Sequence, residues 1–355
     1  MTFWVITEAL YSRGYEHFMH DYSLFYRKIG TSLVYVAVYV DDAILTGTDL
    51  EEIKLLKKSL HDSFKIKDLG RLQYFHGFEI LYKDDGVIIS RRKFVIDLLK
   101  EYNCLSCSPL SLPLDPNVKL KAKEGVPLPD PMCYKKLIGK LNFLTNTRLD
   151  IDFSVQHLSK FMQDPREPEL KAGYHILRYL KADPNLGVFF SKNVDYTVRA
   201  YCDSDWASCP DSRKSVTGYI VLLGDSPISW KPKKRETISL SSAEAEYKSI
   251  RKVVGELVWL QRLLEELTVP FSSPIAVFCD SQSALHIVRN PVFHERMKHI
   301  EVDCHFFRNN LQEGLISLLH IRTDHQLADI LTKALTGIKH SNILSKLAVT
   351  TSLPT

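Results

Sequence analysis

No apolar run in this sequence reaches the roughly 18 residues that a membrane-spanning helix needs. Its first residues, MTFWVITEAL, have neither a basic stretch nor a small-residue cleavage site. These absences predict an intracellular protein, cytoplasmic or nuclear, with no membrane partner and no secretion. Cysteine is sparse as well. The 7 cysteines show no disulfide framework, and the close pair Cys104 and Cys107 has no second pair to complete a zinc site. Free thiols are expected. A strong charge bias is also missing: 46 basic against 42 acidic residues leave a net charge of +4, too mild to establish nucleic-acid binding. There are no internal repeats or low-complexity tracts. With 45% hydrophobic and 25% charged residues, the balance is that of a folded globular chain.

What is present is enough sequence, 355 residues, for two or three domains. LVYVAVYVDDAILT (33–46) reads as two apolar strands joined at Asp41-Asp42, with Val34, Val36, Val38 and Val40 on one face. Residues 49–64 have helical spacing, strands are expected at 73–82 and 87–90 around the turn Asp84-Asp85-Gly86, and 92–102 is an amphipathic helix. Prolines 109, 113, 116, 127, 129 and 131 mark a linker. Helices follow over 132–182. The order is then strands at 187–204 and 216–230, a helix at 243–267, a strand at 275–279, a helix from 282, a strand at 315–321 and a helix from 324. The fold class expected is α/β (α+β).

The helix at 243–267 separates two neighbouring glutamates. Ser241 and Glu244 fit a capping box, and Glu244 also stands four residues before Lys248, a plausible exposed pair. Ile250, Val253, Leu257, Leu260 and Leu264 define the buried stripe, and four residues back from Ile250 is Glu246. A carboxylate heading that stripe is costly to bury unless paired or metal-bound; the alternative is a solvated helix start. Asp280 closes the strand IAVFC, where it reads equally as a ligand at a strand end or as a helix cap. Asp203 ends TVRAYC, with Asp205 on the same face. Thr323 and Gln326 fit another capping box, which places Asp329 about one and a half turns into the last helix. Unit charges near 4 Å repel by roughly 4 kcal/mol at an effective dielectric of about 20. A cluster of such groups makes sense if divalent ions neutralise it. Oxygen ligands without histidine or cysteine favour magnesium or manganese.

YCDSDWASCPDSRKSVTGY, ISWKPKKRETISLSSAEAEY, FCDSQSALHI, HERMKHIEVDCHFFR and HQLADILTKAL resemble, in order, the ribonuclease H domain of copia-type LTR retrotransposon Pol proteins. The resemblance implies a mixed five-stranded sheet with flanking helices over 193–337. It further implies hydrolysis of the RNA strand of RNA–DNA hybrids with two Mg2+ (or Mn2+) ions held by Asp203, Glu246, Asp280 and Asp329. Asp205 and Glu244 rank second. The histidine-bearing loop of many cellular ribonucleases H has no room here, and His320 and His325 are the nearest substitutes. An integrase- or transposase-like nuclease would place the glutamate last, whereas here it comes second. A catalytically inactive relic that binds nucleic acid is the rival from another class.

VAVYVDDAILTGTD resembles the reverse transcriptase palm hairpin, which implies polymerase metals at Asp41 and Asp42; an acidic turn is the other reading. GRLQYFHGFEI resembles the primer-holding region that follows the palm. YKKLIGKLNFLTNTRLDIDFSV and LRYLKADPNLG resemble the thumb and connection, with Leu149 where the family commonly has proline. The expected organisation is a truncated palm over 1–110, a linker and helical thumb/connection over 111–192, the ribonuclease H domain over 193–337 and a tail over 338–355. Only 40 residues precede Asp41, with no strand expected there to bring a further aspartate, so no polymerisation is expected from this chain alone. The basic run Lys231, Lys233, Lys234 and Arg235, together with Arg213 and Lys214, reads either as hybrid-phosphate contacts or as a solvated strand edge. His294, His299 and His305 match no zinc spacing. The expected partner is an RNA–DNA hybrid, with intact Pol or other retroelement proteins as further candidates and no small-molecule substrate.

Overall fold

A computed structural model describes residues 3–40, 42–192, 195–269, 274–289 and 301–351, and the chain divides into two compact units. The first comprises residues 1–76 with 257–270. It contains α1 (Phe3–Ser12), β1 (Glu16–His17), β2 (Leu24–Ile29), β3 (Ser32–Tyr39), β4 (Asp42–Gly47), α2 (Leu50–Phe64) and β5 (Tyr74–Phe75). β1 to β4 form an antiparallel sheet in sequence order. Val34, Val36 and Val38 alternate inward against Leu56 and Leu60 of α2 and Ile6 and Leu10 of α1, as a half-buried strand requires. Val40 does not continue the stripe. It sits in the turn at φ +49 and is exposed, because the chain must reverse there. Asp49 caps α2 by accepting the amide of Glu52.

The second unit comprises residues 77–256 with 271–355. It begins with β6 (Phe78–Tyr82), β7 (Gly86–Ser90) and α3 (Arg92–Glu101), followed by helices α4 (Pro131–Leu144), α5 (Leu149–Leu158) and α6 (Glu167–Ala182). Leu137, Leu141 and Leu144 pack against Ile176, Leu177 and Leu180 in one core, each buried leucine contributing about 1.5–3 kcal/mol. Arg148, the residue just before α5, is buried with Asp150 at 2.7 Å, and Tyr179 donates to the same carboxylate at 2.6 Å.

After β8 (Leu186–Ser191) come β9 (Val198–Asp205), β10 (Val216–Leu223), β11 (Ser226–Lys234), α7 (Ser242–Glu266), β12 (Ile275–Cys279), α8 (Gln282–Arg289), α9 (Glu301–Gln312) and β13 (Ile316–His320). The sheet order is β11-β10-β9-β12-β13. The first three strands are antiparallel, β12 lies parallel to β9, and β13 lies parallel to β12. This is a mixed five-stranded sheet with helices flanking it, within an α/β chain. The last turns of α7 belong to the first unit, where Glu266 meets Nδ1 of His20 at 2.7 Å.

Two expectations change at the C-terminal end. The helix expected from 324 is a pair of 3-10 turns, Thr323–His325 and Leu327–Leu331. The amide of Ala328 is taken by the buried Gln326 side chain, a local bond that competes with the α-helical pattern. The segment expected as a tail folds into α10 (Gly337–Leu344) and β14 (Val349–Thr351), which pairs with β8 beside β7 and β6. Among the described residues no helix is long and apolar enough to cross a membrane.

Candidate active site

Strand alternation sets the site. Register pairs Asp203 with Gly218, and Asp203 shares the face of Tyr201, whose partner is Ile220. On that face Tyr201 and Ile220 pack against Leu327, Ala328, Ile330 and Leu331, so the 3-10 turn carrying Asp329 lies over the end of β9. Gly218 allows this approach: a Cβ there would stand 2.8 Å from that of Leu331 and 2.9 Å from Cγ2 of Thr332. From α7, Glu246 reaches the same strand end, where its carboxylate accepts the amide of Ser204. Asp280 follows the last residue of β12, the strand beside β9.

Glu246, Cys279 and Asp280 offer ligand atoms that all lie within 4.8 Å of one another. Glu246, Asp203 and Asp329 are buried and Asp280 is half-buried. Burial, and then the charges of Asp203, Cys279 and Asp280, push the Glu246 carboxyl far above its ordinary value. Burial likewise drives Asp203 up; Lys333 opposes this, while Asp329 and Asp280 add to it. Each of the four carboxylates therefore feels at least one other. Hydroxyls orient two of them, Thr332 donating to Oδ2 of Asp203 and Thr323 to Oδ2 of Asp280 at 2.9 Å. Asp205, half-buried and also raised by burial, faces Lys333 and Asp329.

These residues fit hard divalent cations. Both oxygens of Asp329 are buried and take no hydrogen bond from a hydroxyl or amide; they are met instead by the ammonium groups of Lys333 and Lys339, so this carboxylate already sits where a cation is held. One neighbour departs from the expected shell, which contains neither histidine nor cysteine. Cys279, whose side chain points to the α7 side of β12, stands beside Glu246 and donates its thiol to Oε2 at 3.9 Å. A cysteine that ends an apolar strand reads as core, so the strand pattern alone does not single it out.

Glu244 caps α7: Ser241 Oγ accepts its amide, and its carboxylate accepts the amide of Leu240. Its pair with Lys248, at 2.6 Å, was expected to be exposed. It is largely buried, since Lys248 folds back to Ser239. Asp42 opens β4 and is exposed, joining no group of three candidate ligands among the described residues; Asp41 lies outside them. Two strands do precede this hairpin; β2 carries no carboxylate, Glu16 of β1 accepts the hydroxyl of Tyr26 at 2.7 Å, and nearby Asp21 is occupied with Ser23. His294 and His299 also lie outside the described residues, as does the side chain of His305. His320 and His325 are exposed.

The basic run does not form one patch, because the pleat divides it. Lys231 and Lys233 pair with Tyr219 and Thr217 and face α7, where Lys252 and Arg235 join them. Burial, followed by these like charges, pulls the Lys252 ammonium below its ordinary value. Lys234 points the other way, 2.9 Å from Sγ of Cys209. Burial raises that thiol, but hydrogen bonds from Lys234 and Ser212 outweigh it and bring the thiol to about 7. Arg213, exposed at φ +53, and Lys214 lie in the connection from β9 to β10. Sequence patterning does not single out Lys252, Lys333, Lys339, Thr332, Thr323 or Ser249 as neighbours of the site. Only Lys333 has a readable signal, standing four residues after Asp329.

Residues 1–116 match the reverse transcriptase (RNA-dependent DNA polymerase) family. Over 337 residues, 95% of the chain, it is 41% identical to the retrovirus-related Pol polyprotein from transposon RE1 of Arabidopsis thaliana, of which it spans 23%. It is 36% identical over 227 residues to an uncharacterised mitochondrial protein of the same plant, covering 64% of this chain and 94% of that one. The chain thus spans about a quarter of the Pol polyproteins it matches. A crystal structure of a ribonuclease H1 in complex with an RNA/DNA hybrid aligns with 38% of the chain and 94% of its own, at 14% identity and a TM-score of 0.27.

Proposed function

This chain belongs to the retrovirus-related Pol polyproteins of copia-type retrotransposons, and from that membership we propose that residues 193–337 hydrolyse the RNA strand of RNA–DNA hybrids in a divalent-metal-dependent reaction. The observation that carries the reading is the meeting of Glu246 and Asp280 within 4.8 Å beside Asp203. Asp203, Glu246, Asp280 and Asp329 would hold two magnesium or manganese ions. When bound, such ions supply an activated water and stabilise the leaving oxygen of a phosphodiester. Around them Thr332 and Thr323 fix the carboxylates of Asp203 and Asp280, and burial excludes bulk water from Asp203 and Glu246. The face with Lys231, Lys233, Arg235 and Lys252 offers cations for phosphates without reading sequence; Arg213 and Lys214 extend it. Lys234, paired with Cys209, is assigned no phosphate contact.

The test is cleavage of a labelled RNA–DNA hybrid with magnesium, manganese and chelator lanes. Asp280→Asn is expected to abolish metal-dependent cleavage with an unchanged circular dichroism spectrum. Full activity in that variant removes Asp280 from the site. Hybrid binding without cleavage by the unaltered chain makes it an inactive nucleic-acid-binding relic. The N-terminal portion is proposed not to polymerise: Asp42 is exposed and joins no ligand group among the described residues. Extension of oligo-dT on poly-A by the purified chain would refute that.

A further inference from the structure

Asp329 is fully buried, yet its carboxylate is met by two ammonium groups and no neutral donor. Nζ of Lys333 lies 2.7 Å from Oδ1 of Asp329 and 3.4 Å from Oδ2 of Asp203, bridging two of the four candidate ligands. Lys339 pairs with the other oxygen of Asp329 and with the carbonyl of Thr323, whose hydroxyl holds Asp280. Burial works against the Lys333 charge, but Asp203 and Asp329 hold the ammonium firmly protonated. The side of the cluster formed by Glu246 and Asp280 has no such lysine within ion-pair distance among the described residues. The site is therefore asymmetric. One half pairs carboxylates with each other; the other half already contains a cation of the protein's own.

We infer that Lys333, supported by Lys339, is a built-in counter-cation between Asp203 and Asp329, and that a divalent ion enters this half of the site only by displacing it. This rests on the nuclease reading above and adds an order to it: the Glu246–Asp280 half fills first, and the Asp203–Asp329 half fills by exchange. Both lysines can leave without unfolding, since their side chains remain 33% and 29% exposed. A unit positive charge within 4 Å of two ligands opposes a second cation strongly, whereas a freed lysine in solvent does not. Lys333 is thus a positioning residue: it holds Asp203 and Asp329 together in the metal-free protein and sets the affinity of the second ion.

The experiment titrates the full chain with manganese and counts bound ions from the free-ion paramagnetic resonance signal. The unaltered protein is expected to show one tight and one weak site. Lys333→Gln should tighten the weak site by at least about tenfold, while Lys333→Arg, which keeps the charge, should leave it weak. A second measurement needs no variant: reductive methylation of Lys333, followed by mass spectrometry, should increase several-fold when manganese saturates the unaltered protein. Equal affinities in all three proteins, or methylation that falls on adding manganese, overturn the inference. Hybrid cleavage run in parallel separates the two readings. Cleavage with unchanged manganese affinities sinks the lysine's role alone, and the absence of both cleavage and manganese binding sinks the nuclease reading with it.

Discussion

The hydroxyl of Ser249 donates at 2.8 Å to the backbone carbonyl of Asp203, and Ser249 stands three residues beyond Glu246 on the same helix. It also reaches the carbonyl of Gly218 at 3.3 Å. One buried side chain thus ties the helix carrying one candidate ligand to the strand carrying another. Ser249→Ala is expected to lower stability by about 1–3 kcal/mol, the cost of leaving a buried acceptor unpaired. Urea denaturation measures this, and an unchanged midpoint would show that the bond does not hold the helix.

Gly218→Ala tests the approach of the Asp329 turn to the sheet. The added methyl would meet Cβ of Leu331 at 2.8 Å and Cγ2 of Thr332 at 2.9 Å. Overpacking of this kind costs about 1–3 kcal/mol. Because Asp203 lies directly opposite Gly218, displacement of the turn should reduce hybrid cleavage by about a hundredfold, far beyond the loss of stability. Wild-type cleavage from a folded Gly218→Ala protein would mean that the turn need not sit where it does.

The metal-free protein should lose stability as pH rises. Burial raises the folded carboxyls of Asp203 and Glu246 above their ordinary values of 3.8 and 4.5. Above those values the unfolded chain releases protons that the folded chain keeps, so unfolding is favoured progressively. The stabilisation is complete below the ordinary carboxylate range and is lost as pH climbs through the raised values. In chelator, the denaturation midpoint should fall as pH rises above about 4, through the raised values of about 7 for Asp203 and about 10 for Glu246. Glu246→Gln should flatten that slope; a slope identical to that of the unaltered protein would show that Glu246 is not its source.

Asp150→Asn should be among the most damaging substitutions outside the site. It leaves the Arg148 guanidinium, whose side chain is 2% exposed, without its counter-charge, at a cost of about 3–5 kcal/mol. The double replacement Arg148→Met with Asp150→Leu should recover much of the loss, since no buried charge remains. Thermal unfolding of the single and double variants decides it.

Periodicity makes the elements around the site readable. Ile250, Val253 and Leu257 fix the buried side of α7, and IAVFC is bounded by composition alone as residues 275–279. Local patterns fail where a tertiary partner changes their use. Thr323 and Gln326 spell a capping box, yet Thr323 serves Asp280, and Gln326 donates to the carbonyl of Cys202. Lys231 to Arg235 look like one patch in a line of text, but strand alternation sends Lys234 to Cys209 and turns its neighbours toward Lys252, a residue on another element. Cys279 reads as one more apolar strand residue until α7 brings Glu246 beside it. Contacts between elements distant in sequence carry no local signature.

The pairing of β14 with β8 makes the far end of the chain a guard rail for a strand formed much earlier, with Val349 set against Val188 and Thr351 against Leu186. A proteolytic nick between Leu344 and Val349 would strip that guard and leave the β8 ladder open on one side. Open ladders recruit other chains. A clipped preparation should therefore form oligomers through β8 even while the carboxylates stay where they are.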